Sequence, residues 1–260
     1  ADTSHGPRLG YVAPFITRLA QRNRSRVSAR PKVKVGFSSK FFREHASGRM
    51  IQGVIEGLSR DRFEVVIFCI MEKAGLPPYS GVVADRIRRR ADKYIELPKS
   101  WGLASLQRAI ASEELDILVY GEVGMDPANY ALAFARLAPV QVVTHGHAST
   151  TGIPTLDYFV SYKPFERPDA QKFYSEKLVT FSDFSPYFRP QMPSRVPGRG
   201  EVFDDLGLTG IRDDTVVFVC LQTLFKLTPD FDAVFGEILR RLPTSRLLLK
   251  TFGSSEVNSV

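Results

Sequence analysis

Residues 32–70 read KVKVGFSSKFFREHASGRMIQGVIEGLSRDRFEVVIFCI, and the order of patterns within them decides the fold. Lys32 to Ser38 places apolar and β-branched residues at alternate positions, the mark of a strand. From Ser47 to Leu58 the apolar residues Met50, Ile51, Val54, Ile55 and Leu58 recur at helical spacing. Phe63 to Ile70 is almost continuously apolar, as a strand covered on both faces must be. Strand, helix and strand in immediate succession predict a parallel pair joined by a crossover helix.

The same alternation continues toward the C-terminus. Val82 to Ala91 reads as a helix, Tyr94 to Leu97 as a short strand, Leu103 to Ser112 as a helix and Ile117 to Tyr120 as a strand. Pro127 to Arg136 reads as a helix with proline in its first turn, and Val140 to Thr144 and Leu156 to Ser161 as strands. An α/β, Rossmann-like parallel-sheet domain is therefore expected over residues 31–183. Phe184 to Gly200, FSPYFRPQMPSRVPGRG, has no periodicity and is rich in proline, so residues 184–212 read as an inter-domain linker. Beyond it, Thr215 to Leu221 is a strand, Phe231 to Leu242 a helix and Arg246 to Lys250 a strand. Residues 213–260 are thus expected to open a second Rossmann-like domain, too small to bury a core of its own. Residues 1–30 are polar and punctuated by proline, and read as a linker with a short helix around Pro14 to Gln21.

With 43% hydrophobic and 24% charged residues, the chain has the composition of a soluble globular protein. No apolar run approaches the roughly 20 residues of a membrane-spanning helix, and the opening residues lack the pattern of a secretory leader. The net charge of +7 is concentrated in Arg18, Arg22, Arg24, Arg26 and Arg30, and again in Arg86, Arg88, Arg89 and Arg90. A solvated linker and helix face is the simplest account, and attraction of a phosphate-bearing ligand is the functional one. No aromatic residues alternate with these arginines, which places nucleic-acid binding below both. Cys69 and Cys220 each lie in an apolar, strand-like run and read as buried free thiols in a reducing compartment, the cytoplasm or nucleus.

Four segments carry candidate chemistry. Ligands of parallel α/β sheets bind at the carboxyl ends of strands, which draws attention to GFSSKFFREHASGRM, Gly36 to Met50. Gly36, Ser38 and His45 are expected at a cleft there, although a histidine before a helix also serves as a cap. In VQVVTHGHASTTG, Val140 to Gly152, the pair His145 and His147 could hold a metal, but no third ligand is near. A turn whose hydroxyls Ser149, Thr150 and Thr151 cap the next element is the plainer reading. The third segment, Tyr120 to Gln141, brings Gly121 and Gly124 to a strand end. The fourth, CLQTLFKLTPDFD, places Lys226 between a strand and a helix N-terminus, where a phosphate can be met. Asp230 and Asp232 read as helix caps. No GxGxxG loop is present.

Taken in order, these segments resemble the catalytic region of the protein O-linked N-acetylglucosamine transferase family, glycosyltransferase family 41, from about Pro31 to about Lys250. The most specific stretches are KVKVGFSSKFFREHASGRM, EVGMDPANYALAFARLAPVQVVTHGHASTTGIPTLDYFVS, FYSEKLV and CLQTLFKLTPDFDAVFGEILRRLP. The resemblance implies a GT-B arrangement of two Rossmann-like domains facing across a cleft, commonly with tetratricopeptide repeats upstream. It implies inverting, metal-independent transfer of GlcNAc from UDP-GlcNAc to Ser or Thr hydroxyls of proteins, with no cofactor beyond the nucleotide-sugar donor. Relatives transfer fucose, or place glucose on asparagine. By the same resemblance His45 is the catalytic base and Lys226 neutralises the diphosphate, with Gln222 and Thr223 beside it on the nucleotide. Gly146, His147, Thr150, Thr151 and Gly152 then line the cleft. Thr223 stands where animal enzymes carry a glutamine, and Ala148 replaces the usual proline. The family's remaining donor-site segments lie beyond position 260, so the chain alone is expected to transfer little or no sugar. A non-catalytic interaction module and an unrelated nucleotide-binding module are the competing readings; the second explains the sheet but not the four ordered motifs.

Overall fold

A computed structural model describes residues 31–74, 79–182, 195–208, 210–212 and 214–250, together with the backbone of 257–259. The chain divides into two compact units, Ala1–Pro190 and Gln191–Val260. The helix expected around Pro14 to Gln21 and most of the prolines of the expected linker lie outside the described residues.

The first unit is built on seven parallel strands: β1 (Val33–Ser39), β2 (Phe63–Met71), β3 (Lys93–Pro98), β4 (Ile117–Tyr120), β5 (Val140–Thr144), β6 (Tyr158–Tyr162) and β7 (Lys177–Phe181). Their order across the sheet is β3-β2-β1-β4-β5-β6-β7. The helices α1 (Ala46–Gly57), α2 (Val82–Arg90), α3 (Leu103–Ala111) and α4 (Pro127–Ala133) intervene. In β2, Phe63, Val65, Ile67, Cys69 and Met71 join one buried cluster, while Val66, Phe68 and Ile70 join the cluster on the opposite face. That two-sided burial explains the uninterrupted apolar run. Ile51, Ile55, Val83 and Ile87 of α1 and α2 cover the first face, and Leu106, Ile110 and Leu132 of α3 and α4 cover the second. The sheet is doubly wound, and the order reverses between β1 and β4. Backbone departs in opposite directions there and leaves a crevice at the carboxyl edge.

Within this unit two boundaries differ from expectation by two residues or more, and one strand, β7, is unexpected. α4 ends at Ala133 rather than Arg136, because the buried Gln141 takes over its end: Nε2 donates to the Ala135 carbonyl at 3.1 Å and Oε1 accepts from Leu137 N at 2.9 Å. β6 starts at Tyr158, since Leu156 turns back onto the Ile153 carbonyl and Asp157 N bonds Gln141 O. β7, a short edge strand with a polar start, carries too little apolar pattern to be read as a strand from sequence and is held by pairing to β6.

The second unit holds α5 (Arg199–Asp205), β8 (Val217–Thr223), α6 (Asp230–Arg241), β9 (Arg246–Lys250) and β10 (Val257–Ser259). β8 and β9 run parallel around α6, as the strand–helix–strand pattern predicts, and β10 adds antiparallel to β9. α5 falls inside the stretch read as linker. Cys220 is half-buried rather than buried, while Cys69 is fully enclosed; both are free thiols. No helix among the described residues is long and apolar enough to cross a membrane.

Candidate active site

The crevice between β1 and β4 is floored by a buried polar cluster. Ser38 Oγ donates to Asn129 Oδ1 at 2.7 Å, and Ser39 Oγ donates to Glu122 Oε2 at 2.7 Å. Asn129 Nδ2 bonds the Glu122 carbonyl at 2.6 Å and Glu122 Oε1 at 3.3 Å. Asp126 caps α4 by accepting from the Ala128 and Asn129 amides, and its other oxygen takes the Lys99 ammonium at 2.6 Å. Lys40 and Lys99 both reach Glu72 as well, so two cations and two carboxylates ring the edge. Burial pushes the Glu122 carboxyl up to about 8; Ser39, the Lys40 N–H and Asn129 oppose the rise and the Asp126 charge adds to it.

His45 sits just past β1 as the N-cap of α1. Its Nδ1 accepts from Ser47 N at 3.2 Å, and its ring stacks on Phe41 with centroids 4.2 Å apart. Burial, then the Arg43 cation, holds its pKa below 6.5, so the ring is neutral at pH 7. With Nδ1 accepting, the proton resides on Nε2. Of the roles considered for this residue, the cap is present, on the loop that follows β1.

The other residues expected at the cleft separate into groups. Ser38 belongs to the crevice floor. Gly36 lies mid-strand instead, where a Cβ would come within 2.4 Å of Leu115 Cδ1, so it serves core packing. Gly146 is needed for a close approach: a Cβ there would lie 2.2 Å from the Gly121 carbonyl oxygen and 3.1 Å from Glu122 Cβ. The His147 ring faces Gly124 on the β4–α4 loop, whereas His145 turns toward β6, edge-on to Tyr162 at 4.8 Å. The two imidazoles have different neighbours, and no cluster of three or more His, Cys, Asp or Glu side chains able to hold a metal is found among the described residues. Burial lowers the His145 pKa, and its ring nitrogens are enclosed.

Thr150, Thr151 and Gly152 form a latch. Thr150 Oγ1 donates to Glu176 Oε2 at 2.7 Å, Thr151 N donates to Oε1 at 2.9 Å, and the Thr151 hydroxyl joins the same oxygen. Gly152 N donates to Ser175 Oγ at 3.1 Å. Burial would raise the Glu176 pKa, but the Thr151 and Thr150 bonds outweigh it and hold the carboxyl below its ordinary range. The threonine hydroxyls are therefore spent on the loop preceding β7. Beneath this loop lies a cavity of about 560 Å³ walled by His145, Phe159, Ser161, Phe165, Phe173 and Tyr174.

In the second unit, Lys226 closes a 3-10 turn, Leu224–Lys226, directly after β8 and is exposed. Gln222 folds back so that Oε1 accepts from Thr223 N at 3.0 Å. Asp230 and Asp232 occupy the first turn of α6 but make no cap bond; their position favours the helix dipole instead.

A family model described as glycosyl transferase family 41 matches residues 16–188 of this sheet-bearing unit. The chain belongs to glycosyl transferase family 41. It is 27% identical over 222 residues to a probable UDP-N-acetylglucosamine–peptide N-acetylglucosaminyltransferase SPINDLY of Arabidopsis thaliana, covering 84% of this chain and 23% of that protein. The Oryza sativa subsp. japonica protein of the same name is 29% identical over 238 residues, covering 86% of this chain and 23% of its own length. A mutant of the Thermobaculum terrenum O-GlcNAc transferase superposes with a TM-score of 0.67 at 26% identity, over 97% of this chain and 46% of that one. The chain thus spans about a quarter of the length of these plant relatives and has the α/β, Rossmann-like fold of the bacterial transferase. Ser39, Glu122, Asp126, Asn129 and Glu176 are not singled out by sequence, yet all five sit in the family 41 stretches KVKVGFSSKFFREHASGRM, EVGMDPAN and FYSEKLV.

Proposed function

We propose that this chain supplies part of a glycosyltransferase that moves a sugar, GlcNAc from UDP-GlcNAc, onto Ser or Thr hydroxyls of proteins with inversion and without a metal. The observation that carries the reading is a neutral, oriented imidazole, His45, at the switch-point edge of a family 41 sheet. In this reading the acceptor oxygen attacks the anomeric carbon as His45 takes its proton. The C–O bond to the diphosphate breaks, and the leaving UDP carries away the electron pair. To accept that proton at Nε2, the ring must adopt the tautomer protonated at Nδ1, which gives up the Ser47 cap bond while the stack on Phe41 keeps the ring in place. Lys226 balances the charge growing on the departing diphosphate, next to the positive end of α6, and Gln222 and Thr223 contact the nucleotide. Protein acceptors and a UDP-sugar are the partners. The enclosed free thiol of Cys69 suits a reducing compartment, cytoplasm or nucleus.

The test is a donor screen of the whole protein with UDP- and GDP-sugars, followed by mass spectrometry of a mixed peptide acceptor pool. An N-acetylhexosamine mass added to Ser or Thr from UDP-GlcNAc is the expected result. Absence of transfer from every nucleotide sugar would remove the reading.

A further inference from the structure

The proposed transfer step makes no use of Glu122, a fully enclosed carboxyl at the junction of the two sheet halves. We propose that Glu122 is a positioning residue that holds His45 in its capping orientation through Ser39 and Phe41. The idea rests on the reading of His45 as the group that handles the acceptor's proton.

The relay is continuous. Ser39 Oγ donates to Glu122 Oε2 at 2.7 Å and accepts the Phe41 N–H at 2.8 Å, so the hydroxyl is engaged in both directions. The Lys40 N–H also turns to the Glu122 carboxyl. Together these bonds set the direction in which the chain leaves β1. The Phe41 ring, itself buried, then stacks on the His45 imidazole at 4.2 Å with only 25° between planes. Between the two rings the backbone is tightly wound: Arg43 N bonds Phe41 O at 2.7 Å and His45 N bonds Arg43 O at 2.6 Å.

Two further anchors hold this segment from other sides. The Phe41 and Arg43 carbonyls close over Gly48, where a Cβ would lie 2.4 Å from each. Glu44 Oε1 accepts from Val83 N at 2.9 Å and ties the segment to α2. Neither of these reaches the strand on the far side of the crevice. Glu122 does, and its Cβ lies beside Gly146, 3.1 Å from where a Cβ there would stand, so one residue joins the loop after β1 to the loop after β5. The groups facing its carboxyl are Ser39 and Lys40 from the β1 end, and Asp126 and Asn129 from α4 and the turn before it; Lys99 and Glu72 stand one contact further out, on Asp126 and Lys40. Removing the carboxyl leaves the Ser39 hydroxyl without its acceptor, frees Phe41 to turn, and takes the imidazole off Ser47 N.

The deciding measurement is a long-range proton–nitrogen NMR correlation on protein labelled with ¹⁵N-histidine. The wild type should show His45 with protonated Nε2 and unprotonated Nδ1. Glu122→Ala and Ser39→Ala should each draw the two nitrogen shifts together as the tautomers interconvert, while Glu122→Gln retains the wild-type pattern. In transfer assays Glu122→Ala should lower kcat about 10- to 100-fold with donor KM little changed, as a displaced catalytic group does. Ser39→Ala deletes only the relay hydroxyl and keeps the test sharp should Glu122→Ala fail to fold. Unchanged His45 nitrogen shifts in Ser39→Ala would overturn the proposal. If the wild type transfers no sugar while the shifts respond as expected, the positioning role stands and the glycosyltransferase reading is what falls.

Discussion

Replacing Glu122 by Gln isolates the electrostatic character of the crevice floor. The carboxyl titrates near 4.5 ordinarily and near 8 when buried in the fold, so folding favours its protonated form. A raised carboxyl pKa contributes stability that is complete below pH 4.5 and is lost as pH climbs toward 8. At about 1.36 kcal/mol per pH unit, the loss is roughly 3 kcal/mol by pH 7 and roughly 4 kcal/mol by pH 8. For a unit of this size, 3 kcal/mol corresponds to about 6–12 °C of melting temperature. Glutamine keeps an acceptor for the Ser39 hydroxyl but cannot ionise, and its curve should lack this fall. The lowered pKa values of His45 and His145 act in the opposite sense, adding stability as pH rises toward 6.5. Both proteins share that contribution, so it cancels in their difference. Differential scanning fluorimetry and urea titration of wild type and Glu122→Gln from pH 5 to 8.5 provide the measurement. The expected outcome is a variant that gains steadily on the wild type across that range. A pH-independent difference would show that the carboxylate is ionised throughout, and the desolvation reasoning would fail.

Other outcomes follow from the same geometry. Gly146→Ala should lower stability by about 1–3 kcal/mol, because the added methyl meets the fixed Gly121 carbonyl; an unchanged denaturation midpoint would contradict the close approach. Glu176→Ala removes the acceptor of three donors from Thr150 and Thr151, at a cost of about 1–3 kcal/mol, and amide exchange at Thr151 should quicken while the β1–β4 core stays protected. In the whole protein, His45→Ala should reduce kcat by roughly 10²-fold or more with little change in donor KM. Lys226→Ala should impair both constants, since a phosphate cation serves binding and leaving-group departure alike; initial rates with varied UDP-GlcNAc decide between these patterns.

The strand–helix alternation was legible because burial on both faces demands apolar residues at every strand position, as in Phe63–Met71. α4 and β6 each differ at one end because Gln141 satisfies the backbone there: its side chain takes the Ala135 carbonyl and the Leu137 amide, and its own carbonyl takes Asp157 N. The places of Ser38, His45 and Gly146 at or just after strand ends could be read from sequence. Gly36 could not: next to a cleft loop in sequence, it lies under Leu115 in space. Thr150 and Thr151 carried the right chemistry, but their partner, Glu176, is about 25 residues away and no local pattern announces it.

The amino-acid order by itself determined the α/β class, the succession of elements apart from β7 and α5, and the chemical types available at the strand ends, since these follow from periodicity and from short-range geometry. It could not determine which buried acid meets which hydroxyl. Ser39 and Glu122 lie 83 positions apart and become neighbours only because the sheet order reverses between β1 and β4. The tautomer of His45, the high pKa of Glu122 and the closure of the Thr150–Gly152 loop are all consequences of that folding, because hydrogen bonding and desolvation depend on distance in space rather than along the chain.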